Sequence, residues 1–196
     1  VKKAELIEPN TIRVIFDQPI VYASTDDFAV AGRTVAGIDF DGTNEVVIYL
    51  NDRNETTING NLTIKDKNSI QTFLGIGAKA ESIIIGDKIP PRIDSESRKL
   101  TLSGRTIYLP FTEKLEPKML ELFKRDLIID VLGKEILDDS DYSISLDTTG
   151  TILRISVNSS VAAPNGYSVR LVKEPKYIMD MSGNIVEFDG YDYYAE

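Results

Sequence analysis

The sequence of 196 residues contains no cysteine, no histidine and no tryptophan. Without cysteine and histidine the chain has no disulfides, no thiol nucleophile, no imidazole base and none of the ligands of the usual zinc sites. These absences remove most of the residue types on which enzymes depend, and we expect a protein without catalytic activity or a cofactor. They do not fix the compartment, because cytosolic and exported bacterial proteins both fold without cysteine.

Positive charge is also scarce. The chain has 22 lysines and arginines against 31 aspartates and glutamates, a net charge of −9, so nucleic acid is not an expected partner. No apolar run approaches the roughly 20 residues that cross a bilayer, and we expect no membrane insertion of this segment. The first residue is Val1, so the sequence begins without an initiating methionine, and it has no signal-like segment. This start predicts a piece of a longer protein.

One strand-like pattern occurs twice. Alternate residues of 10–16 match the residues 95 positions later, and both segments alternate as a half-buried strand does. The matching pairs are Asn10 with Arg105, Ile12 with Ile107, Val14 with Leu109 and Phe16 with Phe111. An internal match of this kind predicts two copies of one structural unit.

Further matching segments follow in the same order in both halves. They are 44–52 with 150–159, and 58–66 with 164–174. An Asn-Gly dipeptide lies near the start of the last pair in each copy, as Asn59-Gly60 and Asn165-Gly166. Because Asn and Gly both tolerate positive φ, each dipeptide predicts a tight hairpin turn between two strands.

Short strand-like runs make up most of both copies. They lie at 3–8, 11–16, 28–31, 33–40, 45–50, 61–65 and 81–86, and then at 92–95, 98–102, 105–111, 127–131, 134–137, 142–146, 151–157, 167–172 and 185–188. Helical signals are confined to one short segment after the candidate cap Ser24 and a longer one with Pro117 in its first turn. This pattern predicts an all-β protein of two β-sandwich domains, the second with a short helix.

A boundary between the copies is visible in the segment "IIIGDKIPPRI". A β-branched run stops at Gly86-Asp87, and Pro90-Pro91 then lack backbone donors and stiffen the chain. We expect one domain at 1–88 and a second, with the longer helical insertion, at 89–196, joined end to end by a short, semi-rigid link.

The order of these motifs resembles that of the bacterial Ig-like domains of S-layer and other cell-surface proteins. The matching residues are Phe16, Pro19 and Phe28 in the first copy, and Tyr167, Val169, Leu171, Asp180, Gly183 and Asn184 in the second. The first copy departs from the family with "IQTFLGIGA" in place of Asp-x-x-Gly-Asn, and the second with "FTEKLEP" in place of Phe-x-x-Pro. The resemblance covers nearly the whole chain and implies an exported, tandem Ig-like segment.

Three acidic segments are candidates for metal binding. The segment "DDSDY" places Asp138, Asp139 and Asp141 within four positions, and either calcium or solvent must offset the repulsion between these carboxylates. These three residues are our calcium candidates, with Asp147 nearby in sequence. In the two other segments, 39–45 and 180–184, turn formation explains the acidic residues more simply, because Asp bonds its own backbone in turns.

The resemblance and the missing residue types predict a non-catalytic structural or assembly segment of an extracellular, S-layer-like bacterial surface protein. Its partners would be neighbouring domains of a larger surface protein, or cell-wall or protein partners. Hydrolysis by paired carboxylates would require a sugar-binding cleft, which two sandwiches do not predict.

An adhesion module, or one that binds carbohydrate or protein, is the alternative function. It is indicated by Tyr191, Tyr193 and Tyr194 in the tail, since exposed aromatic residues mark binding surfaces. Strand alternation along this tail would place Tyr191 and Tyr193 on one face and Tyr194 on the other. Packing against the core, or against the next domain of the parent protein, competes with the binding interpretation.

Overall fold

The computed structural model describes residues 1–51, 60–65, 69–132, 136–163 and 165–196. The chain divides into two compact units, Val1–Ile89 and Pro90–Glu196, which we call unit 1 and unit 2. Each unit has its own hydrophobic core. Among the described residues, no helix has the length and apolar character needed to span a membrane.

Within the described residues, unit 1 has nine strands and unit 2 has seven. The strands of unit 1 are β1 (Lys3–Glu8), β2 (Thr11–Ile15), β3 (Ile20–Tyr22), β4 (Phe28–Val30), β5 (Thr34–Asp39), β6 (Glu45–Asn51), β7 (Asn61–Ile64), β8 (Gln71–Thr72) and β9 (Glu81–Asp87). Seven of them are hydrogen-bonded in the order β4-β7-β9-β1-β2-β6-β5, and β3 pairs with β8. Strand β1 links two groups of strands, because it pairs antiparallel with β2 and parallel with β9.

Unit 2 contains seven strands and a short helical segment. The strands are β10 (Thr101–Ser103), β11 (Thr106–Pro110), β12 (Leu127–Val131), β13 (Tyr142–Leu146), β14 (Ile152–Val157), β15 (Tyr167–Leu171) and β16 (Tyr193–Ala195). Their sheets have the orders β10-β11-β14-β13 and β12-β15-β16. The helix α1 (Leu120–Phe123) lies between the 3₁₀ turns Pro117–Met119 and Lys124–Asp126.

The strand orders identify the fold. A constant-type immunoglobulin domain places its first, second, fifth and fourth strands in one sheet and its third, sixth and seventh in the other. The sheets of unit 2 follow this order strand for strand, and the strands of the seven-stranded sheet of unit 1 follow it once the separate pair β3 and β8 is set aside. The expected all-β, Ig-like sandwich class is therefore confirmed, as is the short helix of unit 2.

Strands β2 and β11, which match in sequence, show why this chain forms sandwiches. Both alternate buried and half-buried side chains, and Ile12, Val14, Ile107 and Leu109 are all 0% exposed. Burying a side chain of this size stabilises the folded state by about 1.5–3 kcal/mol. Alternate residues of one strand thus supply a core, and the predicted half-buried strands are confirmed.

The hairpin prediction for Asn165-Gly166 is wrong. Asn165 and Gly166 connect β14 to β15, which belong to different sheets and do not pair with each other. Asn59 lies outside the described residues, but the strands on either side of it, β6 and β7, also pair with other strands. In unit 2 the dipeptide ends a connection between two sheets, because the preceding strand β14 already pairs with β11 and β13.

Several strand predictions also need correction. The sequence pattern did not indicate β3 or β8, which have only three and two residues, and of the strand alternation considered along the tail only β16 is a strand. The strands predicted at 92–95 and 185–188 contain isolated bridges at Ile93 and Ile185. Part of the strand predicted at 134–137 lies outside the described residues. Short edge pairings depend on the neighbouring strand, so alternation over a few residues does not reveal them.

A cross-strand charge cluster joins β1 to β2. The carboxylate of Glu5, which is 7% exposed, accepts hydrogen bonds from Lys3 Nζ at 3.0 Å and from Arg13 Nη2 at 2.9 Å. Burial raises the pKa of Glu5, but the hydrogen bonds and charges of Lys3 and Arg13 outweigh it and lower the pKa below its ordinary value of 4.5. The ionised Glu5 therefore stabilises unit 1.

We expect Glu5→Gln to lower the melting temperature at pH 7 and to leave it nearly unchanged near pH 2. A carboxyl whose folded pKa is depressed stabilises the protein above its unfolded pKa, and this contribution is lost as the pH falls through the folded value. Thermal unfolding of both proteins, followed by circular dichroism, measures the difference. An equal difference at the two pH values would contradict the ionic role of Glu5.

Candidate functional site

The predicted calcium residues lie in the loop that leads into β13. Asp138 and Asp139 are exposed, and the carboxylate of Asp141 accepts a hydrogen bond from the backbone N–H of Asp138 at 3.0 Å. The ammonium group of Lys124 enters the same loop and donates to the carbonyl oxygens of Asp139 and Tyr142, both at 2.6 Å. The loop therefore already has a cation of its own beside its carboxylates. Calcium binding here stays a prediction.

Asp147 does not join this loop. It follows β13 (Tyr142–Leu146), whereas Asp141 precedes it, so the length of the strand, about 3.3 Å per residue, separates the two. Partial burial raises the pKa of Asp147, but bonds from the Thr149 hydroxyl and from backbone N–H groups, including those of Gly150 and Ile152, outweigh it and lower the pKa. Asp147 thus shapes its own hairpin.

The acidic segment 39–45 is the tip of the β5–β6 hairpin, as the turn interpretation predicted. Gly42 has φ +84°, and the carboxylate of Asp41 accepts the N–H of Thr43 at 3.1 Å. Hydrogen bonds from Thr43 lower the pKa of Asp41. Asp39, Asp41 and Glu45 border a shallow pocket of about 300 Å³.

The segment 180–184 is a turn organised by one carboxylate. Asp180 is 2% exposed, and its Oδ1 accepts the backbone N–H groups of Ser182 and Asn184, both at 2.8 Å. The side-chain amide of Asn184 donates to Oδ2, also at 2.8 Å. These bonds provide a structural role for Asp180, and they confirm the turn interpretation of this segment.

The sequence analysis missed Asp126, a buried carboxylate of unit 2 that accepts several backbone hydrogen bonds. Asp126 is 1% exposed and accepts the backbone N–H groups of Lys176, at 2.9 and 3.0 Å, Tyr177 at 2.5 Å and Ile178 at 2.7 Å. It ties the start of β12 to the loop after β15. A position next to a strand gave no signal for this contact, because the donors lie about 50 residues away in the chain.

The three candidate tyrosines have different environments. Tyr193 is 4% exposed in β16, and its hydroxyl donates to Asp189 Oδ2. Burial, and then the bond to Asp189, raises the pKa of Tyr193, so its hydroxyl stays protonated. Tyr191 and Tyr194 are 46% and 41% exposed. Alternation along 188–194 is therefore wrong for Tyr191, which precedes the strand and does not share the burial of Tyr193.

An exposed apolar surface in unit 1 also escaped the sequence analysis. Phe73 and Leu74 are 85% and 77% exposed in the loop after β8, and Ile76 is 52% exposed. Because β8 pairs with β3, the exposed Val21 and Tyr22 lie on the strand beside this loop. Consecutive side chains of a strand point to opposite faces, so we call only the loop residues Phe73, Leu74 and Ile76 the apolar patch. The loop belongs to the "IQTFLGIGA" segment, in which the chain departs from the family pattern.

Comparisons with known proteins find similarity at the level of structure only. No protein-family model and no curated protein matches the sequence. The chain is 10% identical to titin A168–A169, with a TM-score of 0.39, covering 95% of this chain and 94% of that one. It is 12% identical to the S-layer protein rSbsC, with a TM-score of 0.38, covering 96% of this chain and 25% of that one. For the Yersinia pseudotuberculosis adhesin InvE the identity is 10%, the TM-score is 0.27 and the coverages are 99% and 56%.

Proposed function

We propose that this chain is a non-catalytic structural segment of an extracellular, S-layer-like surface protein of a bacterium, and that it takes part in assembly. Its two units would be tandem copies of one Ig-like domain, each folding separately within the ranges 1–88 and 89–196. The strands of the seven-stranded sheet of unit 1 and the seven strands of unit 2 have the same order, which supports a common origin. The sequence composition, without cysteine or histidine, supports a role that needs no catalytic groups.

The apolar patch of unit 1 is the observation that carries the assembly role. A monomeric protein rarely presents several large apolar side chains together, and such a patch marks a contact surface. We infer that a second copy of this chain covers the patch. Like copies repel each other because each carries a net charge of −9, and apolar burial would have to overcome that repulsion.

Self-association is the expected result. Sedimentation velocity should show weak association of the chain with rising concentration, and stronger association as added salt screens the repulsion between copies. The double variant Phe73→Ser/Leu74→Ser should weaken the association at least tenfold, because it removes the two most exposed apolar side chains of the patch. Hydrogen exchange of the variant verifies that unit 1 stays folded.

Met181→Ser serves as the matched control. Met181 is 59% exposed and belongs to unit 2, outside the apolar patch, so its replacement should leave the association unchanged. A chain that stays monomeric at every concentration and salt would rule out the assembly role. Equal loss of association in the control and the double variant would also contradict it.

A second candidate function is a binding module, favoured by the exposed Tyr191 beside a pocket in unit 2. Divalent cations, calcium in particular, would bind the acidic loop of Asp138, Asp139 and Asp141 under either function. In both cases the acidic surface keeps the segment soluble at the cell exterior.

A further inference from the structure

A shallow pocket of about 310 Å³ lies in unit 2, beside the segment that leads into β16. Its lining residues include Arg92, Glu187, Phe188, Asp189, Tyr191 and Tyr193. The size falls at the lower end of the range for small-molecule sites, about 300–1,000 Å³. The lining combines two exposed aromatic rings with charged groups of both signs.

One side of this region is built by an insertion relative to unit 1. In unit 1 the N–H of Lys2 bonds to β2. Glu5, which follows Lys2 by three residues, pairs with Arg13 of the same strand. In unit 2 the N–H of Asp94 makes the corresponding bond to β11. Thr101, which makes the corresponding strand pairing, follows Asp94 by seven residues. The first strand region of unit 2 therefore contains an additional turn, 95–98, that unit 1 lacks.

The additional turn holds Arg98 in a costly conformation. Arg98 has φ +56°, in the left-handed region that arginine rarely occupies. In this turn its N–H bonds to the carbonyl of Ser95, and its guanidinium lies 3.7 Å from the centre of the Tyr191 ring. The cation covers one face of the ring, and Tyr191 is still 46% exposed. We call the face away from Arg98 the open face.

A second insertion brings Tyr191 to the pocket. Six residues separate Val186 from Tyr193 in unit 2, whereas four separate the corresponding Ala78 and Ile83 in unit 1. The longer segment contains Gly190 with φ +73°, which lets the chain turn between Phe188 and Tyr191. Both insertions thus contribute residues to the same region of unit 2.

The carboxylate of Asp189 fixes the segment in place. Its Oδ1 accepts the N–H of Tyr191 at 3.0 Å, and its Oδ2 accepts the hydroxyl of the buried Tyr193. The pocket wall is therefore tied to the core through β16. A ring that is held by Asp189 and Arg98 before a ligand arrives loses little conformational entropy on binding.

The charges around the pocket balance. Arg92 pairs with Glu187 at 2.6 Å, and Arg98 and Asp189 contribute one further charge of each sign. A balanced set favours neither an anion nor a cation, while it offers both donors and acceptors to hydroxyl groups. The open face of Tyr191 carries negative π density, which attracts the C–H bonds of a sugar ring.

We propose that this pocket binds a neutral saccharide, with one sugar ring stacked on the open face of Tyr191. The binding is a property of unit 2 and does not depend on the self-association of unit 1. Arg98 and Asp189 act as positioning residues for the tyrosine, whereas Arg92 and Glu187 supply hydrogen bonds to hydroxyl groups.

An NMR titration of the whole chain tests this proposal. The probes are neutral oligomers derived from chitin, cellulose and starch, with chitosan and polygalacturonate oligomers of equal length as cationic and anionic comparisons. We expect at least one neutral oligomer to shift the amide signals of Asp189, Gly190 and Tyr191. Tyr191→Ala should weaken that binding at least tenfold, because it removes the stacking surface.

Two further variants make the test specific. Tyr49→Ala removes a tyrosine of similar exposure, 44%, from unit 1 and should leave the binding unchanged. Arg98→Gly relieves the positive φ and should keep unit 2 folded, yet weaken binding about threefold because the ring loses its cation. If Arg98 had a purely structural role, its replacement would not weaken binding while unit 2 stayed folded.

Three results would overturn the proposal. The first is the absence of amide shifts with every neutral oligomer. The second is preferential binding of the chitosan or polygalacturonate oligomer, which would indicate a charged ligand. The third is equal binding by the chain and its Tyr191→Ala variant.

Discussion

Replacing Asp126 by alanine should destabilise unit 2 by about 3–5 kcal/mol, since it removes the charged acceptor of three backbone N–H groups. Those donors belong to Lys176, Tyr177 and Ile178, and the N–H of Ile178 is buried where water cannot replace the carboxylate. A folded domain has only about 5–15 kcal/mol of stability, so the loss would be a large part of the total. Hydrogen exchange measured by mass spectrometry gives the opening free energies of the two units separately.

The control for this prediction is Asp139→Ala. Asp139 is exposed, and its carboxylate accepts one long bond, from the hydroxyl of Tyr142 at 3.5 Å. Its replacement should change stability by no more than about 0.5 kcal/mol. Asp126→Asn, which keeps one acceptor oxygen but loses the charge, should fall between the two. Protection of the β12 and β15 amides that survives Asp126→Ala unchanged would refute the assigned role of Asp126.

Gly166→Ala should destabilise unit 2 by about 3 kcal/mol, through strain and a direct clash. Gly166 has φ +94°, and a Cβ built on it would lie 2.3 Å from the carbonyl oxygen of Ala195 and 3.1 Å from Cα of Glu196. The C-terminal strand β16 would have to move away from β15, with which it pairs through Tyr167 and Ala195. For a unit of about a hundred residues, this loss corresponds to a decrease of roughly 12–24 °C in melting temperature.

Gly183→Ala separates the two causes. Gly183 has a similar φ of +85°, but no atom lies within 4 Å of its built Cβ. This variant should lose only the conformational term, about 1 kcal/mol, and keep β16 protected from hydrogen exchange. Equal melting temperatures for the two variants would show that the close approach of Ala195 has no energetic consequence.

The same dipeptide shows where sequence reasoning reached its limit. Asn165-Gly166 was recognised as a dipeptide that favours positive φ at both positions, and Gly166 adopts it whereas Asn165 does not. The reason for the glycine was misjudged, because the space around it is limited by Ala195, which lies almost thirty residues later in the chain. A local pattern reports the backbone angle that a residue tolerates, but not which distant segment packs against it.

The candidate sites show the same division. The turn at 180–184 was recognisable because Asp180 bonds residues only two and four positions away. The bonds of Asp126 and the contact between Arg98 and Tyr191 join residues that are far apart in sequence, so no spacing rule reveals them. Among the tail tyrosines, the pattern identified the right residue types but not which ring would be buried.

Taken alone, the sequence determined the all-β class, the two matched strands at 10–16 and 105–111 and the short helical segment of the second half. These features follow from alternation, capping and proline placement, which act over a few neighbouring residues. Tertiary structure alone decided the pairing of strands between sheets, the buried bonds of Asp126 and the pocket at Tyr191. These depend on segments that meet only when the sheets close around a core, and the free energy that selects such partners comes from contacts that no local pattern contains.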